Sequence, residues 1–163
     1  MENQYLDTTM DEITPQYSGY AGFWRRFAAG MIDGILLSIV NKILYSITGV
    51  SSRMQEIILD DPTDYSGLIS VAGPTWAMGF AVQLAYFAYL ESSERQASFG
   101  KQAMGLVITD MNGKRIDMGK AVIRHLSKIL SAFLFLIGYL MQPFTEKRQT
   151  LHDMIAGTLV FKR

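Results

Sequence analysis

The sequence predicts a mostly helical integral membrane protein with two full transmembrane helices, a third membrane-embedded helical segment and a small β-hairpin. The 163-residue chain has three long stretches with few or no charged side chains, at residues 27–52, 65–90 and 129–145. Because about 20 apolar residues span a bilayer, each stretch is long enough, or nearly so, to enter the membrane. An Asn-Gly pair at residues 112–113 is typical of the turn of a β-hairpin.

The overall composition excludes several classes of protein. Equal numbers of basic and acidic residues, 15 of each, argue against nucleic-acid binding, which needs a basic surplus. The absence of cysteine excludes disulfides, thiolate metal sites and cysteine nucleophiles. The sequence also has no nucleotide-binding loop, nucleophile elbow or paired metal-binding motif. We therefore expect no enzyme activity, no cofactor and no metal site.

Residues 1–19 are expected to form a disordered acidic tail, followed by one membrane domain over residues 20–163. The beginning of the tail contains acidic side chains, no basic one and no apolar period. It lacks the basic start and the apolar run of a signal peptide, so the first apolar segment is expected to remain as an uncleaved span.

The first span is expected to start near Phe23, with its amino end in the cytoplasm. Arg25 and Arg26 lie at its mouth, and short flanking stretches rich in Lys and Arg stay inside. The loop at residues 51–72 is mainly acidic and is expected to lie outside. A second span from about Gly73 to Leu90 then returns the chain to the cytoplasm, where the loop at residues 91–124 is mainly basic.

Residues 105–116 predict a β-hairpin, with Asn112 and Gly113 supplying the two positive φ angles of a type I′ turn. A lone hairpin is only marginally stable in water. A second short strand is predicted at residues 157–163, and we expect it to pair with the hairpin. This pairing would place the hairpin and the carboxyl terminus together on the cytoplasmic side.

That pairing conflicts with a single crossing by the third apolar segment, residues 129–145. One crossing would put the carboxyl-terminal strand outside, away from the hairpin. Gly138 and Pro143 could let the segment turn back, provided that protein covers the turn. We favour two full spans plus a re-entrant or interfacial helical pair, and three full spans are the alternative.

The first candidate site residues are Arg26 and Asp33, which share one face of the first span two turns apart. Ala29 and Gly30 lie between them and would let another helix approach closely. A lone carboxylate at the depth of Asp33 costs roughly 2.5–3.5 kcal/mol, so it must be paired, protonated or exposed to water. Two interpretations follow: a proton- or cation-binding carboxylate, or a buried polar tie to an arginine.

Two further candidates, Arg124 and Asp153, lie near the third apolar segment. Arg124, with Lys128 one turn later, is either a cytoplasmic anchor or the partner of a buried carboxylate or a lipid headgroup. His152 and Asp153 are adjacent, so their side chains diverge and do not resemble a metal pair. We expect Arg26, Asp33 and Asp153 to form one polar cluster, with Arg124 as the alternative partner of either carboxylate.

Three motifs resemble those of the RDD family of bacterial membrane proteins. They are Ala-Gly-Phe-Trp-Arg-Arg-Phe-Ala-Ala-Gly-Met-Ile-Asp at residues 21–33, the Gly-Lys and Gly-Leu motif at residues 98–110, and Arg-Gln-Thr-Leu-His-Asp-Met-Ile-Ala-Gly-Thr-Leu-Val at residues 148–160. The resemblance covers about residues 20–162. It identifies the arginine and two aspartates of the family name as Arg26, Asp33 and Asp153. This chain departs from the usual Thr-Pro before Gly-Lys, with Ser-Phe in that place.

The resemblance implies a bacterial inner-membrane protein from a family whose activity is largely unassigned and for which transport, including cation/proton exchange for some members, has been proposed. The leading hypothesis is a transporter subunit for a monovalent cation, a proton or a small ligand, with Asp33 in the site. The alternative is an accessory protein that binds a protein partner or a lipid without transport. So few spans would need a homo-oligomer or another membrane protein to enclose a pathway.

Overall fold

The computed structural model describes residues 17–133 and 141–163. In chain order, these residues form the following elements: α1 (Phe23–Ile47), α2 (Val50–Asp60), α3 (Tyr65–Ser92), α4 (Phe99–Ala103), β1 (Leu106–Asp110), α5 (Met118–Phe133), a 3₁₀ turn (Gln142–Phe144), α6 (Leu151–Ala156) and β2 (Thr158–Lys162). Most of the expected acidic tail and the middle of the third apolar segment, residues 134–140, lie outside the described residues.

The chain divides into two compact units. The terminal unit contains residues 17–33, 86–133 and 141–163, and the central unit contains residues 34–85. In the described chain, α1 and α3 are long and apolar enough to cross a membrane. With 25 and 28 residues, they exceed the roughly 20 that a bilayer requires, so the two predicted spans have matching helices.

Residues 51–72, expected as the outside loop, are mostly helical. Gly49, with a φ of 73°, separates α1 from α2. Helix α3 begins at Tyr65, well before the expected start at Gly73. Asp64 caps this earlier start, since its Oδ1 accepts a hydrogen bond from the backbone nitrogen of Gly67 at 3.0 Å.

The two strands form one antiparallel sheet, with Leu106 opposite Lys162 and Asp110 opposite Thr158. The predicted pairing of the carboxyl-terminal strand is therefore confirmed. The amino-terminal segment adds to the other edge of β2 through a bridge between Tyr20 and Phe161. Both ends of the described chain thus meet at β2.

The predicted hairpin is wrong in its second half, because no strand follows the turn in the described residues. The backbone nitrogen of Gly113 donates to Asp110 O at 3.2 Å, and Asp110 N donates to Lys114 O at 2.8 Å. Gly113 has a φ of 74°, whereas Asn112 does not have a positive φ. The turn is therefore a type I turn closed by a left-handed glycine, not type I′. Beyond it, Ile116 is buried in the core.

The hydrophobic core lies in the terminal unit and is built from small and branched side chains of α1, α3, α5 and the sheet. Its members are Ala21, Ala29, Ala88, Leu106, Ile108, Ile116, Ala121 and Val160. The alanines Ala29, Ala88 and Ala121 come from α1, α3 and α5. The core therefore joins the three helices that also carry Arg26, Glu91 and Arg124.

Candidate functional site

The centre of the site is Arg124, a fully buried guanidinium on α5. Its Nε and Nη2 donate to Asp153 Oδ1 at 2.9 and 2.6 Å. Its Nη1 donates to Glu91 Oε2 at 2.8 Å. The planar fork of arginine suits this double contact, so Arg124 ties the end of α3 to α6.

Asp153 is shared by two arginines. Arg26 Nη1 donates to Asp153 Oδ2, and Arg26 Nη2 donates to the carbonyl oxygen of Arg148 at 2.7 Å. Asp153 Oδ2 also accepts from the backbone nitrogen of Thr150, which completes a capping box at the start of α6. Burial alone would raise the pKa of the Asp153 carboxyl, but Arg124 and Arg26 outweigh it and hold that pKa well below its usual value.

Glu91, at the end of α3, extends the network to α4. Lys101 Nζ donates to Glu91 Oε1 at 2.8 Å, while Glu91 Oε2 faces Arg124. Both Glu91 and Lys101 are buried. Sequence reasoning missed this pair. Two sequence features could have indicated it: Glu91 directly follows an uncharged stretch, and Lys101 belongs to the Gly-Lys of the central motif.

Asp33 lies apart from the arginines, which corrects the expectation of a single cluster. Its Oδ1 accepts hydrogen bonds from the Tyr86 hydroxyl and the backbone nitrogen of Gly100, each at 2.7 Å. Its Oδ2 accepts from the Ser98 hydroxyl at 2.6 Å. Arg26 instead extends toward α6, so Asp33, deeper in the helix, meets the start of α4.

Gly100 makes this contact possible. A Cβ at this position would overlap the carbonyl oxygen of Ala29 and would lie 2.8 Å from the carboxyl carbon of Asp33. Only glycine lets the backbone of α4 approach α1 closely enough to donate to Asp33. The glycine of the Gly-Lys motif and the aspartate of the first motif therefore act as one structural contact.

A cavity of about 470 Å³ lies beside this network in the terminal unit. Its apolar wall includes Phe23, Phe27, Met31 and Phe87. Four cationic side chains also line it: Arg26, Lys101, Arg124 and Lys128. A largely apolar cavity with a few converging polar groups is the usual form of a small-molecule site.

Lys128 is the cation of the cavity without an ion pair among the described residues. Its Nζ lies 4.0 Å from the centre of the Phe87 ring, a cation–π distance. Burial lowers the pKa of Lys128 to about 7, with Lys101 and Arg124 adding to the decrease and Glu91 opposing it. The lysine is thus positioned to gain charge when an anion arrives.

The histidines do not form a metal site with their neighbours. Within the described ranges, no group of three or more His, Asp or Glu side chains could hold a metal ion. His125 stacks on Phe87 with ring centres 5.1 Å apart, and His152 Nε2 lies 2.9 Å from the Thr150 hydroxyl. Both imidazoles serve the packing around the network.

Comparison with known proteins identifies the family. The model of the RDD family matches residues 20–157. The chain belongs to the RDD family. It is 33% identical over 146 residues to the uncharacterized protein YxaI of Bacillus subtilis, covering 86% of this chain and 95% of that one. The match to the uncharacterized membrane protein YteJ of the same species is 29% identical and covers 86% and 80%.

A proline-rich antigen of Mycobacterium leprae is also similar, at 29% identity over 84% of this chain and 59% of the antigen. No solved structure matches the chain. The family assignment confirms the resemblance of the three motifs and supports a membrane protein, in agreement with the two apolar helices.

The RDD residues therefore fall into two sets of contacts. In the first set, Arg26 and Arg124 both bind Asp153. In the second set, Asp33 holds α4 by accepting hydrogen bonds from hydroxyl and amide donors. Across the described chain, Asp33 has no ion pair with either arginine. The RDD signature thus encodes two ties between elements that are distant in sequence.

Proposed function

We propose that this RDD-family membrane protein binds an anionic ligand in the cavity and has no enzyme activity. The observation that carries the proposal is the charge balance around the cavity. Four cationic side chains line it together with Asp33, and Glu91 and Asp153 form ion pairs with three of the four cations. The surplus cation is Lys128, and a negatively charged ligand would compensate it.

The carboxylates themselves are poorly suited to bind a cation. Both oxygens of Glu91 accept from cationic donors, and both oxygens of Asp153 accept from arginines. Both oxygens of Asp33 accept from hydroxyl or amide donors of the protein. A cation would have to displace these donors. This geometry favours anion binding over the hypothesis of cation/proton exchange at Asp33.

Thermal unfolding of the purified protein in a neutral detergent tests the proposal, because a ligand that binds only the folded state raises the unfolding temperature. Sodium phosphate should raise it more than sodium chloride at equal ionic strength, and Li⁺, Na⁺ and K⁺ chlorides should be equivalent. Lys128→Gln should remove the phosphate effect. Lys120→Gln, on the same helix, should keep it.

The opposite pattern would favour exchange. A stabilisation by one cation, no response to phosphate, and cation-dependent proton flux in proteoliposomes that Asp33→Asn abolishes would contradict anion binding. The flux is measured with a pH-sensitive dye under a cation gradient. We expect no such flux from the wild-type protein.

The placement in a bacterial inner membrane, with the amino end and the sheet in the cytoplasm, is also part of the proposal. The meeting of Tyr20, β1 and β2 in one sheet supports a carboxyl terminus on the same side as the amino end of α1, and hence a re-entrant third segment. A homo-oligomer or a membrane protein partner belongs to the same proposal, and cross-linking in membranes tests it.

The chain has no cysteine, so single cysteines report this topology cleanly. Cysteines at Asn112 and Lys162 should be protected from an impermeant reagent on intact cells, and one at Glu56 should react. Labelling at Lys162 together with protection at Asn112 would instead support three full spans.

A further inference from the structure

We infer that the ligand of the cavity is an anionic lipid, with its headgroup against Lys128 and Arg26 and an acyl chain along the exposed apolar side of α1. This inference rests on the proposed function, since it names the chemical class of the anion. Two features of the cavity carry it: donors without partners at its charged end, and an apolar wall that continues onto the exposed surface.

The charged end offers donors that the protein does not use. Arg26 Nε is buried and has no hydrogen-bond partner within the described residues, although both terminal nitrogens of Arg26 are engaged. Lys128 Nζ contacts the face of Phe87 but no carboxylate in the same part of the chain. A phosphate or carboxylate group accepts several charge-assisted hydrogen bonds and would satisfy such donors.

The apolar wall opens toward the surface that a bilayer would cover. Phe27 and Met31 line the cavity, and they are also 52% and 54% exposed. They lie one turn apart on α1, a helix long and apolar enough to span the membrane. The wall of the cavity is therefore continuous with a face of α1 that lipid chains would contact, which gives an amphiphile a lateral path of entry.

A free phosphate shares the headgroup chemistry but not the second feature. It would meet the same donors and leave the wall formed by Phe27 and Met31 without a contact. An anionic lipid meets both features, because its headgroup reaches the donors and its acyl chain lies along the apolar wall at Phe27 and Met31. The observations therefore favour the lipid as the source of the anion.

Tryptophan quenching by brominated lipids separates the two sources. The chain has two tryptophans, and Trp24 lies next to Phe27 with ring centres 6.1 Å apart. A Trp76→Phe protein thus reports from beside the cavity wall at Phe27, and a Trp24→Phe protein reports from the central unit. Each is placed in phosphatidylcholine vesicles with equal fractions of brominated phosphatidylglycerol or brominated phosphatidylcholine.

The inference predicts that Trp24 is quenched more strongly by the anionic brominated lipid, whereas Trp76 is quenched equally by both. Lys128→Gln should remove the preference at Trp24, and Lys120→Gln should retain it. Met31→Ala changes an exposed side chain, should not disturb folding and should weaken the preference at Trp24. It therefore tests the path of the acyl chain even if Lys128→Gln fails to fold.

The outcomes separate this inference from the proposed function. Equal quenching of Trp24 by both lipids, with stabilisation by inorganic phosphate, would overturn the lipid and leave anion binding in place. Equal quenching without any response to phosphate would overturn both. A preference that survives Lys128→Gln would also overturn the inference, because it would reflect general attraction to an anionic surface.

Discussion

The terminal and central units of this protein differ in the interactions that their side chains make. In the terminal unit, Asp33, Glu91, Arg124 and Asp153 are buried and bound to one another or to backbone and hydroxyl donors. In the central unit, whose residues are all described, Leu37 is the only buried hydrophobic side chain. A unit surrounded by lipid has little to gain from burying apolar side chains.

The difference indicates where this sequence should tolerate substitution least. All three motifs that carry the family resemblance, at residues 21–33, 98–110 and 148–160, lie in the terminal unit. Buried charges there require fixed partners, because an unpaired charge in such a setting is costly. The central unit needs length and apolar composition, which many sequences provide. Substitutions should therefore have large effects in one unit and small effects in the other.

The largest effect is expected from Asp153→Asn, which leaves Arg26 without a carboxylate partner and Arg124 with Glu91 alone. We expect a loss of roughly 3–5 kcal/mol in the free energy of unfolding, measured by SDS titration in mixed micelles. Glu56→Gln, an exposed carboxylate on α2, is the matched change in the central unit and should stay within about 0.5 kcal/mol. Similar losses for both would remove the distinction between the units.

Gly100→Ala should produce the next largest effect. The added methyl group would overlap Ala29 O and crowd the Asp33 carboxylate, so we expect a loss of roughly 1–3 kcal/mol. Gly34→Ala is the control, because a Cβ there meets nothing within 4 Å and improves helix propensity by about 1 kcal/mol. The same unfolding titration compares the two. If Gly100→Ala left the free energy of unfolding unchanged, α4 would not approach α1 this closely.

Anion binding should depend on pH through Lys128. The pKa of Lys128 is lowered to about 7, so its charge, and with it anion affinity, should be greatest below pH 7. Above pH 7 the affinity should fall by up to about tenfold per pH unit. The shift in unfolding temperature induced by sulfate, an anion whose charge stays constant over this range, reports the change. A Lys128→Gln protein should show no sulfate response at any pH.

The charged and titratable neighbours of Lys128 come from four helices. They are Glu91 from α3, Lys101 from α4, Arg124 and His125 from α5, and His152 and Asp153 from α6. Burial lowers the pKa of His125 to about 4 and that of His152 well below its usual value. An affinity that increased above pH 7 would contradict the assignment to Lys128.

In the absence of ligand, the lowered pKa of Lys128 gives the stability of the folded protein the opposite pH dependence to that of anion affinity. Its value in the unfolded chain, about 10.4, is higher, so a proton binds the unfolded state more tightly. The stability contributed by Lys128 should therefore be greatest above pH 10.4 and should decrease as the pH falls to 7. Urea or SDS titration of the wild-type and Lys128→Gln proteins over this range checks the sign.

The smallest effect is expected from Tyr45→Phe in the central unit. The Tyr45 hydroxyl donates to the carbonyl oxygen of Thr75 at 3.2 Å, and polar contacts between membrane helices average about 0.6 kcal/mol. We expect Tyr45→Phe to lower the free energy of unfolding by about that amount. A loss above roughly 2 kcal/mol would show that the central unit also depends on a specific polar contact.

Much of the architecture could be predicted from local sequence signals. The lengths of the stretches with few or no charged side chains indicated both long helices, and the short strand candidate at the carboxyl terminus was expected to pair with the hairpin. The turn at Asn112 and Gly113 was placed correctly but given the wrong type, because its form depends on Asp110. The side chain of Asp110 accepts from two backbone nitrogens of the turn, and the chain then turns into the core at Ile116.

The partners of the buried charges could not be predicted from helix geometry alone. Sharing a face of α1 suggested that Arg26 and Asp33 would meet. Which donor reaches Asp33 depends instead on the docking of α4, more than 60 residues away. That contact depends on Gly100, whose role becomes visible only when two backbones are placed side by side. Lys128 was noted as part of an anchor, and its position in a cavity is a tertiary property.

Double-mutant cycles on Arg26 test most directly whether the two aspartates of the RDD signature have separate roles. The single and double substitutions Arg26→Gln, Asp153→Asn and Asp33→Asn are compared by the free energy of unfolding. Arg26 and Asp153 should be coupled by roughly 0.5–3 kcal/mol, and Arg26 and Asp33, which share no partner among the described residues, should be additive within about 0.5 kcal/mol. Strong coupling of Arg26 to Asp33, with none to Asp153, would contradict this division.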